Sequence, residues 1–237
     1  MQLFYNKDIS ENDSQFTFDK TESRHIVKSL RKTAGDTLYI TNGKGALFTV
    51  KILLANDKRC SVALVETTKK LKPWPYSLHI AIAPTKNNDR LEWFLEKATE
   101  IGIDEITPII CSNSERTTVK TERFQKIVQS AMKQSLKFIL PKLNDPMKFS
   151  DFIQQDIEGS LFIAHCEDQE KKSLAKEIIP KKKITILIGP EGDFSPTEIQ
   201  QAITNNFKPV SLGKTRLRTE TAGIVVTQTV ALINELA

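Results

Sequence analysis

Two short stretches hold the side chains best suited to chemistry. The first is Gly189-Pro190-Glu191-Gly192-Asp193, a sharp turn with a carboxylate between two glycines. Glycine lets backbone approach a ligand closely. A carboxylate repels phosphate, so Glu191 argues for a cationic or polar ligand; the plain alternative is a tight βα turn. The second stretch, LGKTRLRTETAG over residues 212–223, places Arg216, Arg218 and Glu220 among Thr215, Thr219 and Thr221. Gly213-Lys214-Thr215 spells the end of a phosphate-binding P-loop, but Lys208 stands where that motif needs its first glycine and Pro209 intrudes. No G-x-G-x-x-G follows the first strand of the α/β part, so the dinucleotide fingerprint is missing.

Two basic constellations suit a polyanion. Lys20, Arg24, Lys28, Arg31 and Lys32 recur at spacings suited to one helix face, interrupted only by the acid Glu22. Ser114-Glu115-Arg116-Thr117 precedes Lys120, Arg123, Lys126, Lys133, Gln134 and Lys137, where cations can hold a nucleic acid backbone and Gln134 can read a base edge. In both cases an ordinary solvated helix face is the alternative. A net charge of +5 and a pI of about 9.0 fit a polyanionic partner. The three cysteines and three histidines show no metal-ligand spacing, so neither a disulfide scaffold nor a metal site is expected. No signal peptide or membrane-length apolar run is visible, and a cytoplasmic setting without membrane contact is the expectation.

These groups need elements to hold them. Residues 1–66 read as short strands separated by polar turns, with one helix capped by Thr21 and ended before Gly35; the spacing suits a small barrel. Residues 67–76 read as a linker, and the domain division is set at 1–70 and 71–237. Beyond it strands alternate with helices, which predicts an α/β domain with a mostly parallel sheet. The apolar run at 184–188 is a buried strand leading into the glycine turn. Ser195, Pro196 and Glu198 then form a cap, a first helical residue and a capping-box partner. Helices are expected over 89–101, 121–139 and 221–236, and in open α/β sheets ligands bind beyond the carboxyl ends of strands.

RHIVKSLR with Gly35-Asp36, KATEIGIDEITPI, SERT, AMKQS with Pro141, IGPEGDFS and LGKTRLRTETAG occur in this order along nearly the whole chain. Together they resemble the RsmE family of bacterial methyltransferases, which methylate a uridine of small-subunit ribosomal RNA. The resemblance implies an N-terminal PUA-like β-barrel for RNA and a C-terminal SPOUT α/β domain with a deep trefoil knot. It also implies a homodimer, S-adenosylmethionine as cofactor, and 16S rRNA or the assembled small subunit as partner. The cofactor loops would be the one after Ala164, including His165, the turn with Ile188, Gly189 and Gly192, and the stretch with Leu212, Gly213, Leu217, Thr221 and Ala222. Adenine would rest against Ile188, Leu212 and Leu217. Methylation at uracil N3 needs alignment, loss of the N3 proton and stabilisation of charge on the flanking oxygens. Arg218 is the candidate for the charge, Glu191 or Glu220 for the proton. Arg24, Lys28, Arg31, Arg116, Arg123, Lys133 and Gln134 would meet RNA. Two departures stand out: Asp193 occupies the place of a third glycine, and Thr215-Arg216 replaces an arginine followed by an aliphatic. A SPOUT enzyme acting on another RNA, or a non-catalytic RNA-binding assembly protein, are the rival readings.

Overall fold

A computed structural model describes all residues from Met1 to Ala237. The chain divides into two compact units, Met1–Pro73 with Met132–Leu140, and Trp74–Ala131 with Pro141–Ala237. The chain therefore visits the first unit twice, which a single cut at 70/71 does not describe.

In the first unit the elements are β1 (Leu3–Tyr5), β2 (Gln15–Thr17), α1 (Lys20–Arg24), β3 (Thr37–Thr41), β4 (Ala46–Leu54) and β5 (Ser61–Lys69). They form one sheet in the order β1-β3-β4-β5-β2. Phe4, Ile40, Phe48, Val50 and Val62, with Ile26 from the helical segment, share one buried core, so the sheet wraps around a common centre. The cap of α1 is Asp19, not Thr21: its carboxylate accepts the Glu22 N–H at 2.8 Å. A π-helical turn, His25–Ser29, follows, and Arg31 has a left-handed φ of 55°. The helix therefore ends before Arg31, and the basic stripe does not continue on one helical face. The returning segment 132–140 is tied in by the Gly45 N–H donating to the Phe138 carbonyl at 2.8 Å and the Leu140 N–H to the Gly43 carbonyl at 2.9 Å. The expected linker is shorter than read, because β5 runs to Lys69.

The second unit contains β6 (Ser77–Ile82), α2 (Asn88–Ile101), β7 (Glu105–Ile110), α3 (Thr121–Gln134, its end crossing into the first unit), β8 (Lys142–Leu143), β9 (Met147–Lys148), α4 (Phe149–Phe152), β10 (Ser160–Ala164), β11 (Lys172–Ser173), α5 (Leu174–Glu177), β12 (Lys183–Ile188), α6 (Pro196–Thr204), β13 (Lys208–Ser211) and α7 (Thr219–Glu235). Helix α3 stops short of the expected residue 139, with Leu136 at a φ of 53°. The sheet order is β11-β13-β10-β12-β6-β7-β8, with every pair parallel. Parallel strands require both faces covered. Ala81, Ile163 and Leu187 pack with Phe149, Phe194, Ile199 and Phe207 in one buried cluster. The other face meets α2 and α7, which cross closely at Gly223: a Cβ there would stand 2.5 Å from Phe94 and 3.2 Å from Ile82.

Candidate active site

Sheet register sets the site. Ala164, the last residue of β10, lies beside Ile188, the last of β12, and beside Val210, one residue before the end of β13. Three loops therefore leave the sheet side by side: 165–171, 189–195 and 212–218. β13 lies on the opposite side of β10 from β12, so the chain changes direction here, at the kind of switch point where α/β sheets bind ligands.

Two adjoining cavities open among these loops, of about 350 and 510 Å³. Ala164, Cys166, Arg216, Leu217 and Ala222 line both. Ile188, Gly189, Glu191 and Arg218 face the first, and His165, Leu212 and Gly213 the second. Gly192 and Thr221 lie outside both linings: a Cβ on Gly192 would meet Asn113 at 3.1 Å, and Thr221 sits in the first turn of α7. Glu220 is buried behind the wall, 6% exposed, with its Oε1 4.0 Å from Arg90 Nε. A larger hollow of about 670 Å³ beside α3 offers less chemistry, because the Glu92 carboxylate that lines it is already paired with Arg123 Nε at 2.6 Å.

The turns are braced from several directions. The Thr219 hydroxyl donates to the Gly189 carbonyl at 3.0 Å. Asn113 Nδ2 donates to the Gly192 and Asp193 carbonyls, each at 3.1 Å. The capping box is complete: the Glu198 N–H donates to Ser195 Oγ, and the Ser195 N–H donates to Glu198 Oε2 at 2.8 Å. Glu198 Oε1 also accepts the Ser112 N–H at 2.8 Å, so one carboxylate ties the helix start to the β7 loop.

Glu191 is held at one oxygen and unspent at the other. Oε1 accepts the Lys86 N–H at 3.0 Å, whereas Oε2 is buried without a partner. Glu220 Oε2 is in the same condition. A buried acceptor without a donor is costly unless a ligand supplies one. His165 leaves a third polar atom unpaired. Burial first, then Lys171, pushes its imidazole down to about 4, so it is neutral near pH 7. The Gln169 amide nitrogen lies 2.8 Å from His165 Nε2 and can only donate, so Nε2 accepts and the proton rests on Nδ1. That Nδ1 is buried without a partner.

Arg90 is not singled out by the sequence, and three residues that are, Arg116, Arg216 and Asp193, complete the site in ways their spacing does not indicate. Arg90 lines the first cavity from the first turn of α2. A cation there opposes the helix dipole, a signal the sequence did contain. Arg116, expected at RNA, donates from Nη2 to the Lys86 carbonyl at 2.8 Å and so steadies the segment that holds Glu191. Arg216 lines both cavities and reaches the Glu191 carbonyl at 3.5 Å, while Thr215 is exposed. Asp193 sits at a left-handed φ of 62°, where glycine is the easy choice.

Among the remaining expected RNA contacts, Lys28 lies 3.7 Å from Asp57, Lys133 pairs with Glu22 at 3.3 Å and Arg123 is bound to Glu92. Arg24 and Arg31 make no ion pair, and Gln134 closes α3. The first unit also carries a cavity of about 520 Å³ bordered by Lys44, Lys69, Lys70 and Lys72.

A parallel sheet with a cleft at its switch point, following a β-rich unit, is compatible with an RNA methyltransferase that carries a PUA domain, and the family models show that class. Residues 72–231 match the family model of the RNA methyltransferase domain, and residues 18–65 that of the RNA methyltransferase PUA domain. The chain belongs to the ribosomal RNA small subunit methyltransferase E family. It is 32% identical to the protein of that name from Buchnera aphidicola subsp. Acyrthosiphon pisum over 94% of this chain and 90% of the relative. It is 31% identical to the one from Rickettsia conorii over 98% and 95%. Among solved structures, a probable rRNA-methyltransferase from Porphyromonas gingivalis superposes with a TM-score of 0.92 at 39% identity, covering 100% of this chain and 99% of that one. A ribosomal RNA small subunit methyltransferase E from Neisseria gonorrhoeae, bound to S-adenosyl methionine, superposes with a TM-score of 0.82 at 26% identity, covering 98% of each chain.

Proposed function

We propose that this chain methylates N3 of a uridine in small-subunit ribosomal RNA, using S-adenosylmethionine held in the loops after β10, β12 and β13. The observation that carries the reading is the set of buried, unsatisfied polar atoms around this cleft: two carboxylate oxygens and one imidazole N–H. The donor fits that chemistry. Apolar Ile188, Leu212 and Leu217 suit an adenine ring, and the His165 Nδ1–H suits an oxygen acceptor. Carboxylates tolerate a sulfonium where they would repel phosphate. When bound, the donor supplies the transferable methyl group on its sulfonium sulfur.

The chain's own groups serve the acceptor. Uracil N3 is protonated at neutral pH, and Glu191 Oε2, whose residue faces the first cavity, accepts that proton; Glu220, behind the wall, is not placed to take it. Arg218 and Arg90, both lining the first cavity, suit the two oxygens that flank N3 and gain negative charge. Lys86, itself held by Arg116, fixes the Glu191 carboxylate through its N–H.

The first unit, with Arg24 and Arg31 exposed on its surface, is the RNA-holding part in this reading, and a closed PUA-like barrel is its proposed form. A trefoil knot in the second unit is proposed from the family resemblance alone. The working protein is proposed to be a cytoplasmic homodimer, acting on 16S rRNA or the assembled small subunit; no helix is long and apolar enough to cross a membrane. The test is nucleoside mass spectrometry of ribosomal RNA from a deletion strain, with labelled methyl transfer to small subunits in vitro. Loss of N3-methyluridine and its restoration by the purified protein are expected. A different missing nucleoside, or no transfer at all, overturns the reading.

A further inference from the structure

We propose that Asp193 is a positioning residue that latches the 165–171 loop against the glycine turn, so that the methyl-donor cleft is formed before the donor enters. The proposal rests on the reading of this cleft as the donor pocket. Asp193 is itself firmly seated. Its N–H donates to the Pro190 carbonyl at 3.0 Å, and its carbonyl accepts from Asn113 Nδ2 at 3.1 Å. Its carboxylate then works in two directions. Oδ1 accepts the Phe194 N–H at 2.8 Å, and Oδ2 accepts the Cys166 N–H at 2.6 Å, twenty-seven residues away. Charge-assisted bonds of this kind are among the stronger hydrogen bonds in proteins.

The loop on the far side needs such an anchor. Its other side-chain hydrogen bonds run within itself: Lys171 Nζ donates to the His165 and Glu167 carbonyls, both at 2.7 Å, and Gln169 meets His165. These bonds shape the loop without fixing it to the neighbouring turn. Cys166 lines both cavities and His165 the larger, so an unfixed loop would leave the cleft wall unordered. A glycine at position 193 would meet the left-handed backbone at no steric cost, yet it would leave the Cys166 N–H without its partner. The chain accepts backbone strain here and gains a bond across the cleft. Preorganisation of this sort raises affinity by removing an ordering cost from the binding step.

The test compares the full-length wild type with D193G and D193N. D193G relieves the strained φ while removing the latch, so its thermal stability is expected to stay close to wild type. Its Kd and KM for S-adenosylmethionine are expected to rise roughly tenfold, from loss of one charged hydrogen bond, with kcat at saturating donor little changed. D193N tolerates the left-handed backbone and keeps one acceptor oxygen, so it should restore part of the affinity. Hydrogen exchange at the amides of residues 167–171, none of which bonds Asp193 directly, supplies a readout independent of the donor. It should accelerate in D193G. Wild-type affinity in D193G, or unchanged exchange across that loop, overturns the latch. A wild type that binds no donor, with the loop still released in D193G, sinks the donor reading and leaves the latch standing.

Discussion

Gly223 is where the positions of α2 and α7, and therefore of Arg90 and Glu220, are decided. An added Cβ would stand 2.5 Å from Phe94 Cε2 and 2.6 Å from Cδ2. Carbon atoms prefer roughly 3.5–4.0 Å. Phe94 is fully buried between the helices and the sheet and cannot swing into solvent. Overpacking of this kind costs about 1–3 kcal/mol. Replacing glycine by alanine inside a helix gains about 1 kcal/mol. Gly223→Ala should therefore destabilise the second unit by about 1 kcal/mol, and by up to about 2 if the helices cannot part. If they do part, the first turn of α7 moves, loosening the Thr219 bond to Gly189 and the approach of Arg90 to Glu220, and donor affinity falls. Both tryptophans, Trp74 and Trp93, belong to the second unit, so their fluorescence in urea follows the unfolding of that unit. Phe94→Leu in the same background removes the atoms in conflict. The double variant should be less destabilised than the sum of the singles, by about 1 kcal/mol or more. A Gly223→Ala protein about 1 kcal/mol more stable than wild type, the value of helix propensity alone, refutes the reasoning. So does strict additivity in the cycle.

Three further outcomes are expected. Glu191→Gln should lower kcat about 10²–10⁴-fold, and Glu220→Gln, behind the wall, should lower it far less; near-normal kcat in Glu191→Gln would mean that this carboxylate does not take the proton. His165 gives a pH signature. Its folded form stays neutral down to about pH 4, while the unfolded chain binds a proton near 6.5. The unfolded state thus holds more protons between those values, so this contribution is complete above pH 6.5 and is lost as pH falls toward about 4. Its slope is at most about 1.4 kcal/mol per pH unit, and His165→Asn should flatten it in denaturant titrations across that window. Arg24→Glu combined with Arg31→Glu should weaken binding to small-subunit RNA and shallow its salt dependence, measured as Kd against ionic strength; an unchanged slope would take both residues out of the RNA surface.

What was legible in the sequence is what neighbours in the chain decide among themselves. The capping box at Ser195 and Glu198, the apolar strand before the glycine turn, and Gly102 ending α2 each depend on residues within a few positions. Six collinear motifs carried the family as well, because several short stretches in one order are specific where any one of them alone is not. Even local reading had a limit at α1, where Asp19 outcompeted Thr21 for the free amides and a left-handed Arg31 ended the basic stripe.

Tertiary structure alone decided which distant groups meet. Residues 132–140 return to the first unit, Arg116 donates to the Lys86 carbonyl beside the Glu191 support, and Arg90 arrives beside Glu220. Asp193 shows the difference most plainly. In the chain it is a departure from a glycine; in the fold it holds the Cys166 amide across the cleft. The reason is physical. Local hydrogen bonds and hydrophobic periods are written in short windows of sequence, whereas the partners of a buried carboxylate depend on strand order and register, which only the packing of the whole sheet determines.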